Sequence, residues 1–305
     1  MSLSRWRDTG RFYEHGAHRI FIRTHGSGHE ALLLLHGFPS ASWDYEALWP
    51  ALTKRFAHVV TLDMLGFGFS DKPLRHRYSL VEQAELCAAL LRERGVDRVH
   101  LLAHDYGVSV AQELLARAAD RAQGRTPEAG GFPEPASVVF LNGGLFPEAH
   151  RPLRSQRRLA GWFGPLYARL ITARRFERSF CQLFGPDTQP GLIELHDYRQ
   201  LIGENHGWRV LPRLLRYMKE RRRQRERWAA TITQPRQPQR LIAGMADPVS
   251  GPAMVARYRQ LAPAADVVEL ETIGHYPQIE APDRVLRAFL AFHDAIEDAR
   301  AAQAR

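Results

Sequence analysis

The stretch Leu101-Leu102-Ala103-His104-Asp105-Tyr106-Gly107 is an apolar strand that runs straight into a helix. A nucleophile held on a sharp strand-to-helix turn needs a small residue two places before it and two after, because the turn is tight and strained. Ala103 and Gly107 meet that need, and the apex holds Asp105 rather than Ser or Cys. Taken alone, the stretch reads more simply as an aspartate N-cap on the following helix. The rest of the chain decides between the two readings.

Outward from this turn, short β-branched or leucine-rich runs alternate with helical patterns, which predicts a mostly parallel sheet covered on both faces. Strands are expected at His18–Thr24, Ala31–Leu35, His58–Leu62, Val99–Ala103, Ser137–Leu141, Arg240–Ala243 and Asp266–Leu270. Helices are expected at Tyr45–Lys54, Ser79–Arg94, Gly107–Ala122, Gly251–Leu261 and Pro282–Ala295, the second opening on the capping box Ser79…Glu82. Gly124–Pro135, rich in Gly, Pro and charge, reads as a surface loop. From about Leu145 to Pro235 strands vanish and helical patterns dominate, after which the alternation resumes. The expected organisation is an α/β core from residues 1–144 and 236–305, with a helical lid at 145–235.

Two further segments bring chemistry to the turn. After the strand at Ala31–Leu35 comes His36-Gly37-Phe38-Pro39, whose backbone N–H groups could face Asp105. Near the C-terminus, Gly244-Met245-Ala246-Asp247-Pro248 follows one strand and Ile273-Gly274-His275-Tyr276-Pro277 follows the next. The order Asp105…Asp247…His275 is nucleophile, acid, base, with each group just beyond the C-terminal end of a strand, where open α/β sheets place their sites.

With these residues in place, the chain resembles the α/β-hydrolase family, in the aspartate-nucleophile branch that holds epoxide hydrolases and haloalkane dehalogenases. The resemblance is carried by His36-Gly37-Phe38-Pro39, Asp63-Met64-Leu65-Gly66-Phe67-Gly68-Phe69-Ser70-Asp71-Lys72-Pro73, His104-Asp105-Tyr106-Gly107, Asp247-Pro248 and Gly274-His275. Within that branch it is similar to the mesoderm-specific transcript protein group, through Asn142-Gly143-Gly144-Leu145-Phe146-Pro147-Glu148, His150-Arg151-Pro152-Leu153, Ala111-Gln112-Glu113-Leu114-Leu115 and His275-Tyr276-Pro277-Gln278. The expected fold is therefore an α/β-hydrolase core with an inserted helical cap.

An aspartate nucleophile narrows the reaction. Attack on an ester carbonyl would give an anhydride, whereas attack on an sp³ carbon gives an ester that water can cleave. His275 would activate that water, Asp247 would orient the imidazole, and the N–H groups of Phe38 and Tyr106 would hold the oxyanion. Dehalogenases of this branch usually carry a Trp after the nucleophile and often an Asn after His-Gly as halide donors; Tyr106 and Phe38 stand there. Fluoroacetate-type enzymes grip a carboxylate with an Arg just after the nucleophile, and Tyr106-Gly107-Val108 offers none. Epoxide hydrolases protonate the opening oxygen with cap tyrosines. The resemblance puts one at Tyr217; a second could be Tyr167 or Tyr198, neither of which carries a motif.

The expectation is epoxide hydrolysis to a diol, with haloalkane dehalogenation as the alternative and a non-catalytic scaffold on the same fold as the competing class. The substrate would be a small apolar epoxide or alkyl halide, and His36, Trp43, Phe146 and Tyr167 are expected to contact it. Glu148 is read as a surface residue, and Asp63 and Asp71 as scaffolding of their glycine-rich turn. His100 and His104 lack metal-ligand geometry and no HExxH or CxxC exists, so no metal or cofactor is expected.

Composition excludes other classes. The chain has 305 residues, 45% hydrophobic and 25% charged, ordinary values that exclude wholesale disorder and fibrous forms. Apolar runs such as Ala31–Leu35 are strand-sized, too short to span a bilayer. Met1–Asp8 has no apolar core of a signal peptide, and Cys87 and Cys181 are too few for a disulfide framework, so a cytoplasmic protein is expected. The net charge of +9 is concentrated. Residues 145–235 hold 18 Arg/Lys against 8 Asp/Glu, leaving 24 against 25 elsewhere. The run Arg213–Arg227, with eight basic residues, reads as a solvated lid face rather than a nucleic-acid site. The sharper readings are attraction of acidic partners or peripheral contact with an anionic membrane, and Trp162, Phe163, Leu166, Tyr167 and Leu170 with Arg174 and Arg175 would suit the membrane contact. The same apolar residues would equally suit packing over the pocket.

Overall fold

The computed structural model describes residues 1–125 and 132–303. Eight strands form one sheet: β1 (Arg11–His15), β2 (His18–Gly26), β3 (Glu30–Leu35), β4 (His58–Leu62), β5 (Arg98–Asp105), β6 (Glu134–Gly143), β7 (Gln239–Gly244) and β8 (Val267–Leu270). Their order is β1-β2-β4-β3-β5-β6-β7-β8; β1/β2 and β2/β4 pair antiparallel and the rest parallel. Helices are α1 (Leu3–Asp8), α2 (Trp49–Arg55), α3 (Leu80–Glu93), α4 (Tyr106–Ala122), α5 (Arg154–Ala160), α6 (Gly164–Arg169), α7 (Ala173–Cys181), α8 (Leu192–Gly203), α9 (Leu211–Leu214), α10 (Tyr217–Arg223), α11 (Arg225–Thr233), α12 (Pro252–Leu261), α13 (Pro277–Glu280) and α14 (Pro282–Gln303).

Strands covered on both faces read as continuous apolar runs, and Ala31–Leu35 is buried throughout. One side chain set from these strands joins α3, α4 and α12 in a core that also takes in the lid interior; the other joins α1, α2 and α14. Ser79 caps α3 by accepting from Glu82 N–H (3.1 Å), but the Glu82 side chain turns to His76 instead of closing the box. The lid serves the next donors of that first turn: Glu220 of α10 takes the N–H of Leu80 at 2.8 Å. A lid carboxylate therefore caps a core helix.

All eight strands lie outside residues 145–235, where every described element is helical. The last lid helix, α11, sits on α4, with Trp228 Nε1 donating to Glu113 (2.8 Å) and Arg227 pairing with Glu113 and Asp120. Four expectations are corrected. Strand β1 is an extra, half-exposed edge whose residues show no apolar alternation. The helix expected at Tyr45–Lys54 is a 3₁₀ turn at Ser42–Tyr45 followed by α2, because Pro50 fits only a helix's first turn. The loop at Gly124–Pro135 ends early, since β6 starts at Glu134, and its residues 126–131 lie outside the described ones. Helix α14 continues past Ala295 to Gln303, held by Arg55 pairing with Asp294 and Glu297.

Candidate active site

The turn at the end of β5 bears on the N-cap reading of its sequence. Asp105 occupies the N-cap position of α4, yet its side chain caps nothing there. Its backbone adopts φ 42° and ψ −101°, a left-handed conformation that costs a non-glycine residue about 1–3 kcal/mol and persists only where the surroundings enforce it. Those surroundings are close-packed. A Cβ on Gly107 would lie 2.4 Å from the Leu35 carbonyl oxygen, and one on Gly143 would lie 3.0 Å from Asp105 Cα. The turn instead aims the carboxylate at the end of β3, where Phe38 N–H donates to Asp105 Oδ2 at 3.0 Å. Tyr106 N–H, the second expected donor, follows directly in the chain as the first residue of α4.

The other oxygen, Oδ1, faces His275 Nε2 at 3.9 Å. On its far side His275 Nδ1 donates to Asp247 Oδ2 at 2.8 Å. The three residues that chain order predicted are thus together, and all are buried. Asp247 also accepts from the N–H of Val249 (2.7 Å) and Ser250 (3.0 Å), Ser250 Oγ (2.6 Å) and Asn142 Nδ2 (2.8 Å). Burial opposes ionisation of Asp105, but His275 and Phe38 N–H outweigh it and hold the carboxyl below its usual range. Burial would likewise depress His275, but Asp247 and Asp105 reverse this and raise its pKa to about 10. The resting site is a carboxylate–imidazolium–carboxylate array.

Above it lies Tyr217, buried, its ring edge-on to Tyr106 (5.1 Å) and 6.3 Å from Phe38. Its hydroxyl lies beside the Arg221 guanidinium without meeting hydrogen-bond geometry. Tyr198 is placed elsewhere and donates to Asp44 Oδ1 at 3.2 Å. Tyr167 lines an apolar cavity that shares Phe38, Leu159, Phe176, Trp208 and Leu211. Phe38 joins that cavity to the carboxylate, its ring lining one and its N–H holding the other. The Tyr106 hydroxyl is buried without a hydrogen-bond partner, among Glu220 and Tyr217 of the lid and Glu82 and Gln83 of α3.

Three of the expected substrate contacts have other partners. His36 engages backbone through both ring nitrogens, Nε2 accepting from Met64 N–H (3.0 Å) and Nδ1 bonded to the Gly37 carbonyl (2.8 Å); burial keeps it neutral, its pKa about 4. It braces one loop against another. Trp43 packs edge-on against Trp6, and Phe146 is buried against Tyr258. Asp63 and Asp71 do scaffold, accepting from Ser42 and Phe69 N–H and from Arg19 N–H. Glu148 pairs with Arg225 and Arg257 at the surface.

Several residues the sequence reading passed over complete the site. His104 Nε2 hydrogen-bonds the His275 carbonyl oxygen at 2.8 Å. Glu280 accepts from the N–H of Gly185 and Gly274 (2.8 Å each), Tyr276 N–H (2.9 Å) and Thr188 Oγ1 (2.5 Å), binding a lid loop to the His275 loop. Asn142, Gly143 and Gly144, at the end of β6, hold Asp247, back the Asp105 turn and receive Arg221 respectively. Arg221 is the one member of the basic run that is fully buried, which corrects the reading of that run as wholly solvated. Among the described residues, no cluster of three or more His, Cys, Asp or Glu could hold a metal ion, and no helix is long and apolar enough to cross a membrane.

Comparison with known proteins places the chain in a family. The chain is 40% identical over 301 residues to the human mesoderm-specific transcript homolog protein, covering 95% of this chain and 88% of that one. It is 38% identical over 290 residues to the putative hydrolase LipZ of Mycobacterium tuberculosis (95% and 97% covered), and 27% identical over 290 residues to haloalkane dehalogenase 2 of Mycobacterium bovis (94% and 93%). Among solved structures, the haloalkane dehalogenase DbeA from Bradyrhizobium elkani superposes with TM-score 0.76 at 20% identity (95% and 99% covered). The epoxide hydrolase CorEH superposes with TM-score 0.74 at 20% identity (94% and 99%). Residues 32–288 match the alpha/beta hydrolase family, the sheet is mostly parallel, and the chain belongs to that family.

Proposed function

We propose that the protein hydrolyses an alkyl electrophile, foremost an epoxide, through an ester on Asp105, without a cofactor. The observation that carries this reading is the division of labour between the two carboxylate oxygens. Oδ2 is held by Phe38 N–H while Oδ1 is free and faces the base. Oδ1 attacks the sp³ carbon, the C–O bond of the epoxide breaks, and Tyr217 gives its proton to the departing oxygen. The ester carbonyl oxygen is then Oδ2, already in its donor site, where the charge of the next step develops. Alkylation removes the negative charge opposite His275, so the imidazolium loses its proton and becomes the base. It takes a proton from water as the hydroxide adds to the Asp105 carboxyl carbon. Collapse breaks the bond between Oδ1 and the carboxyl carbon, and His275 returns that proton to the product oxygen. The regenerated carboxyl gives its own to Tyr217, and His275 regains from solvent the proton it released to solvent on alkylation.

Tyr217 favours an epoxide over a halide, since an opening oxygen needs a proton and a departing halide does not. The identity to haloalkane dehalogenase 2 supports the second reading, halide displacement by the same carboxylate. The test is kcat/KM for an aryl epoxide and a primary bromoalkane in wild type and Tyr217→Phe. The epoxide rate should fall on the order of 10²–10³-fold while any bromoalkane rate barely changes. Efficient bromide release by the wild type, with both rates unchanged in Tyr217→Phe, would move the protein to dehalogenation.

We further infer that the lid rests on an anionic lipid surface. Trp162 is 93% exposed and Phe163 73%, with Leu166 and Leu170 beside them, so these side chains do not roof the pocket. Arg157, Arg158, Arg169 and Arg174 flank them.

A further inference from the structure

Arg221 is 1% exposed, and none of its three guanidinium nitrogens has a hydrogen-bond partner. The group lies over the Tyr217 ring at 5.5 Å and fills the space where Gly144 lacks a side chain; a Cβ there would meet Arg221 Nη2 at 1.0 Å. It is within electrostatic range of Asp105. Arginine stays charged even when buried, and an unpaired buried charge is among the costliest features a fold can carry. Its chain neighbour Glu220 is committed to capping α3. Two more orphaned groups adjoin it. The Tyr217 hydroxyl is unpartnered, and so is Nε2 of His150, a neutral imidazole (pKa about 3) close to Arg221, Asp105 and His275.

We propose that Arg221, with His150, binds a carboxylate on the substrate, so that the electrophile is an acid whose carboxylate lies a few bonds from the reacting carbon and the Tyr217 proton stays with the epoxide oxygen. This rests on the ester mechanism above and names its substrate class. A guanidinium presents paired N–H donors that match a carboxylate fork, and the ion pair supplies the missing counter-charge. The apolar cavity lined by Phe38, which Arg221 itself does not line, would take the rest of the molecule. The bound anion also separates two jobs: Arg221 fixes the substrate while Tyr217 points its proton at the oxygen that opens. Nothing near the nucleophile in sequence announces this arginine, because it arrives from the lid.

The test compares 3-phenylglycidate with its amide, two epoxides that differ in charge alone, in wild type, Arg221→Gln and Arg221→Lys. Wild type should favour the acid in kcat/KM on the order of 10²-fold, the usual effect of a buried charge pair. Arg221→Gln should bring the ratio near unity, and Arg221→Lys should recover part of it. In parallel, calorimetry with unreactive 3-phenylpropionate and its amide reads binding without chemistry, with the same preference expected and the same loss in Arg221→Gln. If wild type turns over acid and amide equally and adducts form on Asp105, the anion site is wrong and the mechanism stands. If the carboxylate binds through Arg221 but neither epoxide is consumed, the mechanism is wrong and the site stands. If Arg221→Gln slows both substrates alike, the arginine serves Tyr217 and the proposal fails. Should the variants not fold, the wild-type ratio decides.

Discussion

Replacing Asp105 with Asn should lower the pKa of His275 by about two to three pH units. In the wild type the imidazole sits between Asp247, at 2.8 Å, and Asp105, at 3.9 Å. At an effective dielectric of ~20, opposite charges ~4 Å apart interact by about 4 kcal/mol, and at ~1.4 kcal/mol per pH unit that is about three units. Asn has the same shape, still accepts from Phe38 N–H and lacks the charge, so it mimics the neutral alkyl ester. His275 would then titrate at about 7–8, where a general base works best near neutrality. The sign for stability follows. A folded pKa raised to about 10 gives stability that is complete below the ordinary value of 6.5 and is lost as pH climbs through 10. In Asp105→Asn that loss should move down toward 7–8. NMR titration of ring-labelled histidine, with His275 assigned from the His275→Gln spectrum, reads both proteins directly. A His275 pKa unchanged or raised in Asp105→Asn would refute the idea that alkylation frees the base.

Asp247→Asn should cost stability and activity together. Five donors converge on the carboxylate, and the new amide NH₂ faces some of them, at about 1–3 kcal/mol for each donor left unpaired. Turnover should fall on the order of 10⁴-fold, as when a triad acid elsewhere becomes an amide; urea unfolding and kcat check the two. Glu280→Ala should loosen the lid loop and the base loop at once, seen as faster amide exchange at both 183–188 and 273–276, with lower kcat. Exchange rising in one loop only would show that the carboxylate does not couple them. Trp162→Ala with Phe163→Ala should abolish co-sedimentation with phosphatidylglycerol vesicles that wild type shows at low salt; wild type remaining in the supernatant would count against the lipid contact.

The parts of the site legible in sequence are those that lie at strand ends in a fixed order. Asp105, Asp247 and His275 each follow an apolar run, so the strand pattern alone predicts their convergence. The left-handed turn at Asp105 was legible through Ala103 and Gly107, because only small neighbours permit it. What stayed hidden depends on contacts between distant segments. Arg221 sits among seven basic neighbours that face outward or lie at half-exposed positions, and only the missing side chain of Gly144 marks where it docks. Asn142 carries a fainter signal, a polar residue closing an otherwise apolar strand. Glu280 looks like an ordinary helix-end acid until the lid loop folds onto it. His36 misled because a histidine beside a catalytic turn suggests substrate contact, whereas both its nitrogens are spent on backbone.

The central claim, an alkyl ester on Asp105, is tested most directly by trapping it. His275 acts only after the ester forms, so His275→Gln should accumulate the intermediate. Intact-mass spectrometry after incubation with a consumed epoxide should show the protein heavier by one substrate, and fragmentation should place that mass on Asp105. An adduct on another residue, or normal turnover by His275→Gln with no adduct, would contradict the account.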